Sequence, residues 1–128
     1  MYYNMTTIGF FDSMGFEAVD FIIEQTELSC IFLSNEYITK IVTMKKEGLA
    51  KSVTSIVTFD DANPALVDSA AKVGVKVYSF KFILEQGENA SGVPAFNKCT
   101  ENDCPIFSYT SGTTGDSKGV KLTHRNLF

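Results

Sequence analysis

SVTSIVTF, residues 52–59, is the run whose reading decides the fold. Val53, Thr54, Ile56, Val57 and Thr58 are β-branched, and the apolar positions are continuous rather than strictly alternating. A strand with one wet face alternates. A strand covered on both faces reads as a continuous run, and such strands belong to parallel sheets. Working outward, CIFL (30–33) and VKVYS (75–79) are two further short strands, each separated from 52–59 by a helical pattern. Strands near 30, 53 and 75 with helices between them predict βαβ units with right-handed crossovers.

The helices have readable faces and ends. Over 15–27, Phe16, Val19, Ile22 and Ile23 share one side while Glu17, Asp20 and Glu24 share another. In the next helix Tyr37, Ile38, Ile41, Val42 and Met44 make an apolar stripe, with Ser34 or Asn35 as cap, Lys45 and Lys46 in the last turn and Gly48 as the stop. Asn63-Pro64 is a cap followed by proline at the first helical position; Leu66, Ala70 and Val73 face the core, and Gly74 closes that helix. Ser79 caps a short helix, FKFILEQ, that ends at Gly87. TTIGFF (6–11) predicts a strand near the start, a polar loop covers 87–104, PIFSYT (105–110) and VKLT (120–123) are strands, and HRNLF (124–128) begins a helix.

The bulk numbers bound the class. With 128 residues, 45% of them hydrophobic, the chain is long enough to bury a core. The net charge of −4 argues against a general nucleic-acid binder. No apolar run reaches the ~18 residues of a transmembrane helix, and no signal peptide is apparent. Cys30, Cys99 and Cys104 are an odd count without zinc-site spacing, which predicts a reduced, intracellular chain and no metal site of the protein's own.

YTSGTTGDSKGVKLTH (109–124) carries the chemistry. Ser111, Thr113 and Thr114 offer three hydroxyls within four residues, and Lys118 adds a compact positive charge. Gly112, Gly115 and Gly119 permit unusual backbone angles and let N–H groups approach a ligand closely. Phosphates require that combination of donors, close backbone and counter-charge. From composition alone a flexible surface turn explains the same residues equally well. The Walker A pattern fails, because Ser117 precedes Lys118 and Gly119 follows it, and the dinucleotide glycine pattern fails too.

The whole ordered stretch from Tyr109 to His124 resembles the phosphate-loop signature of the adenylate-forming enzymes, a superfamily that includes acyl-CoA synthetases, coumarate-CoA ligases, luciferases and peptide-synthetase adenylation domains. YNMTTIGFFDSMGFEAVDFIIEQTE (3–27), with Phe11-Asp-Ser-Met-Gly15 at a turn, is similar to a segment of the long-chain fatty acyl-CoA synthetases. The resemblance implies a partial doubly wound α/β fold: a mainly parallel sheet with flanking helices, ending in a strand–phosphate loop–strand unit. The chain would be part of the large N-terminal AMP-binding domain, with βα units over 1–86, the polar loop over 87–104, the strand–loop–strand over 105–123 and a helix start at 124–128.

In function, the resemblance implies a long-chain fatty acid–CoA ligase. The carboxylate and MgATP give an acyl-adenylate and pyrophosphate, and CoA then gives acyl-CoA and AMP. Thr110, Ser111, Gly112, Thr113, Thr114, Gly115 and Lys118 would hold the ATP phosphates. The partners would be ATP with Mg2+, a long-chain fatty acid and CoA, with no nucleic acid. The location would be cytoplasmic or the cytosolic face of an intracellular membrane, and peripheral attachment of the parent enzyme is compatible with that. Ser117 departs from the family's usual proline, which loosens the loop by about 0.4–1 kcal/mol. The family's adenine, ribose and metal motifs and its catalytic lysine have no match here, so no catalytic residue is assigned and the chain reads as an inactive piece of a longer enzyme. A non-catalytic nucleotide- or partner-binding module, a coumarate-CoA ligase-like enzyme and a peptide-synthetase adenylation domain are the alternatives. His124, Tyr109 and the Asp60-Asp61 pair are read as structural.

Overall fold

The computed structural model describes residues 4–92, 94–110 and 118–128. In chain order its elements are β1 (Thr7–Ile8), α1 (Phe16–Thr26), β2 (Cys30–Leu33), α2 (Asn35–Lys46), β3 (Ser55–Thr58), α3 (Pro64–Ala71), β4 (Lys76–Ser79), α4 (Phe80–Glu88), β5 (Ile106–Thr110), β6 (Lys118–Leu122) and α5 (His124–Leu127). They form two compact units, one over Gly15–Ser91 and one from the residues before and after it. Each holds its own three-stranded sheet. The expected mixed α/β architecture with parallel strands and flanking helices is present.

The Gly15–Ser91 unit is the βαβ repeat. β3 is central, parallel to both neighbours, with Phe32 opposite Val57 and Val57 opposite Tyr78. Ile56, Val57 and Thr58 are consecutive and all buried, so both faces of β3 are covered, as its continuous run requires. The core is completed by Ile22 and Ile23 of α1 and by Ile38 and Met44 of α2, all at 0% exposure. Each such side chain is worth about 1.5–3 kcal/mol when taken out of water.

β3 is shorter than the expected 52–59, because the residues before it bond elsewhere. Ser52 Oγ donates to Leu28 O at 2.8 Å and Thr54 N to Ser29 O at 2.9 Å, while Val53 remains fully buried. Gly48 stops α2 as expected: its φ is +80°, and Leu49 N reaches Met44 O at 2.8 Å in a Schellman pattern. Asn63 and Ser79 cap α3 and α4 through Ala65 N and Phe82 N. α4 runs through Gly87 to Glu88, one residue beyond its expected stop, and buries no side chain. Phe32, Phe59 and Phe80 meet in an exposed aromatic cluster, with ring centroids 5.9–6.4 Å apart.

The other unit places β5 between β1, which is parallel to it, and β6, which is antiparallel. The strand expected over 6–11 pairs only at Thr7 and Ile8. The chain then turns, with Met14 N donating to Phe11 O at 3.0 Å, so the ladder has no further residues to use. β6 begins at Lys118 rather than at Val120. Thr123 caps α5 in a reciprocal box with Asn126. The end of the polar 87–104 loop supplies acceptors for the same helix: His124 N donates to Asp103 O and Arg125 N to Glu101 O. That accounts for the orphan N–H groups of its first turn.

Candidate functional site

The site is built on the β5–β6 pair. Its register sets Thr110 opposite Lys118, Tyr109 opposite Gly119 and Ser108 opposite Val120. The last residue of β5 and the first of β6 are thus neighbours across the ladder, and both are exposed. Of the residues expected to hold phosphate, Thr110 and Lys118 are brought together there. Ser111, Gly112, Thr113, Thr114 and Gly115 lie outside the described residues. Among the described residues no carboxylate pairs with Lys118; the ion pair of this unit is Arg125–Glu101, at 3.9 Å and well exposed. Lys118 is exposed and so accessible to an anion.

Gly119 corrects one expectation. It lies in the regular extended backbone of β6, outside the left-handed region, so no unusual angle demands a glycine there. Its neighbour does. A Cβ at Gly119 would stand 3.2 Å from Tyr109 Cζ and 3.3 Å from Cε1, tighter than an ordinary contact. Tyr109 itself is 6% exposed, and burial pushes its phenol above its usual pKa. Sequence reasoning treated Tyr109 only as a strand residue and missed this pairing.

The Asp60-Asp61 pair bonds to the start of α2. Asp60 Oδ2 accepts from Asn35 N at 2.7 Å, so it caps α2 where Ser34 makes no side-chain cap. Thr58, buried at the end of β3, donates to Asn35 Oδ1, and Asn35 Nδ2 reaches Asp61 O at 2.7 Å. His124 is the first residue of α5 and borders a cleft of about 290 Å³ together with Cys104, Phe107 and Lys121. Lys121 Nζ sits 5.7 Å from the Phe107 ring centroid, a cation–π contact between register partners. Among the described residues no three His, Cys, Asp or Glu side chains converge as a metal ion would need. No helix among them is long and apolar enough to cross a membrane.

Long chain acyl-CoA synthetase 1 of Arabidopsis thaliana is 35% identical over 129 aligned residues, covering 96% of this chain and 18% of its own length. Fatty acyl-CoA synthetase B of Dictyostelium discoideum is 31% identical over 120 residues, covering 94% of this chain and 18% of its own. The chain therefore spans under a fifth of the length of these curated relatives. Among solved structures, the adenylation domain of a carboxylate reductase from Mycobacterium chelonae superposes with a TM-score of 0.74 at 19% identity, over 92% of this chain and 20% of that one. The A-PCP didomain of a carboxylic acid reductase from Segniliparus rugosus, in complex with AMP, gives 0.69 at 21% identity, over 89% of this chain and 17% of that one. The model of the AMP-binding enzymes matches residues 1–128 throughout, and the chain belongs to that family.

Proposed function

We propose that these residues are part of an ATP-dependent long-chain fatty acid–CoA ligase and that residues 110–115 together with Lys118 hold the phosphates of its ATP. The observation that carries the reading is the Thr110–Lys118 pair at the two ends of the glycine-rich stretch, with the lysine exposed and no carboxylate among the described residues paired to it. The similarity to long chain acyl-CoA synthetases supports the choice of substrate.

The chemistry follows from charge. As the fatty acid carboxylate attacks the α-phosphorus, negative charge accumulates on the departing pyrophosphate. Lys118 and the hydroxyls and N–H groups of 110–115 neutralise it, each charge-assisted bond being worth about 1.5–3 kcal/mol. Mg2+ arrives with the nucleotide, and no described residue is assigned to it. CoA then displaces AMP in a step to which no residue of these 128 is assigned. The same reading keeps the enzyme in the cytoplasm or attached to the cytosolic face of a membrane, and the 128 residues alone inactive.

The test is pyrophosphate release by the full-length chain with ATP and palmitate, against short and aromatic acids. Preference for the long acid with AMP and acyl-CoA as products is expected. Turnover of short or aromatic acids alone sinks the long-chain assignment. Nucleotide binding without any adenylation favours the non-catalytic module.

A further inference from the structure

Gly119 stands apart from the other described glycines. Gly48, Gly74 and Gly92 have φ between +77° and +96°, which accounts for them. Gly9, Gly15 and Gly87 would meet nothing within 4 Å if given a Cβ. Gly119 has neither an unusual φ nor open space, since three atoms of the Tyr109 ring lie 3.2–3.4 Å from where its Cβ would stand. A glycine inside a strand gives up side-chain packing and often marks a close approach. An aromatic ring laid across from an edge-strand glycine restores the lost packing. β6 is the edge strand here, and Tyr109 is among the most buried residues of β5.

We infer that the Tyr109 ring and Gly119 together select the register of β5 against β6, so that Tyr109 is the positioning residue that brings Thr110 and Lys118 to the ATP phosphates. The residues flanking Gly119 are Lys118 and Val120. A shift of β6 by one place sets a residue with a Cβ opposite Tyr109 and turns every side chain of β6 to the other face. The ring then loses its seat, and Lys118 leaves the side on which it faces Thr110. Only the observed register satisfies both. Glycine at 119 therefore serves the ring rather than the approach of a phosphate. The functional half of the inference rests on the phosphate reading proposed above.

A volume exchange separates the two roles of Gly119, because two valines fill a space similar to that of a tyrosine and a glycine. In the full-length chain, Gly119→Val overpacks the ring and is expected to raise KM for ATP about tenfold or more while lowering Tm. Gly119→Ala, which asks the ring to give by only a few tenths of an ångström, loses less. Adding Tyr109→Val to Gly119→Val is expected to recover most of both losses, since β-branched residues pair well across strands. A Gly119→Val defect that Tyr109→Val does not rescue overturns the inference and returns Gly119 to ligand approach. Unchanged KM and Tm in Gly119→Val overturn it as well. Where Gly119→Val does not fold, recovery of folded protein in the double variant is the supporting result and its absence the opposing one. Lys118→Ala distinguishes the two levels. A raised KM in Lys118→Ala with no double-variant rescue removes the register device alone. An unchanged KM in Lys118→Ala with rescue of Tm removes the phosphate reading and leaves the ring and glycine as the register device.

Discussion

The two units of the chain keep their order by different means. In the βαβ unit, helices and three parallel strands enclose Ile22, Ile23, Ile38, Met44 and Ile56 completely. In the other unit Tyr109 is the one buried residue among the described large apolar side chains, and Val120 of β6 is 41% exposed. The first is held by apolar burial, and the second, among its described residues, by backbone ladders, the capping box of α5 and side-chain bonds such as Thr6 Oγ1 to Cys104 O. Thr110 and Lys118, the facing ends of β5 and β6, are both exposed.

Substitutions turn that contrast into numbers. The largest effect is expected at the centre of the buried sheet: Ile56→Ala should cost about 2–5 kcal/mol in denaturant-monitored unfolding. A cost below about 1 kcal/mol would mean that the unit is not held by its core. Next is Lys118→Ala, which should slow adenylation in the full-length chain by about tenfold to a hundredfold, the worth of one charge-assisted bond, with Tm unchanged. Equal loss of Tm and activity would make Lys118 a structural strand residue. Asp60→Ala removes the cap of α2 and should cost about 1 kcal/mol of stability without altering KM for ATP. A changed KM would move Asp60 into the site.

The smallest effect is a pH dependence. Burial raises the pKa of Tyr109 in the folded chain, so the fold keeps the phenol neutral. The unfolded chain ionises first as the pH passes about 10. Stability is therefore whole below that pH and declines as the pH rises through it toward the folded value. Tyr109→Phe should flatten the alkaline decline in Tm, and an identical decline in both proteins would show that other tyrosines carry it.

The βαβ unit was legible because its signals are local and repeated. The run at 52–59, the stripe from Tyr37 to Met44, the cap-and-stop pair Asn63/Gly74 and the stop at Gly48 mark their elements within a few residues. What escaped was supplied from afar. The cap of α2 comes from Asp60, 25 residues on, and the shortening of β3 comes from the Leu28 and Ser29 carbonyls. At the site, the glycine-rich composition pointed to Thr110 and Lys118, which the ladder pairs, but the unusual backbone angle expected of Gly119 is not there.

The β1–β5 pairing also bears on the sequence of events in folding. Thr6 Oγ1 meets Cys104 O across 98 residues of chain, whereas the contact from Ser52 to Leu28 in the βαβ unit spans 24. Closing a loop about four times longer costs only about 1.2 kcal/mol more in entropy, so the long pairing is affordable at equilibrium. Its effect is on timing. Nearby contacts form first and distant ones slow a transition state, and β1 leaves the ribosome long before its partner exists. Pulse-labelled amide exchange during refolding should find Ile31 and Ile56 protected before Thr7 and Ile106; the reverse order would mean that the long pairing nucleates folding. The Thr7–Ile8 ladder is thus expected to close only after the βαβ unit has assembled.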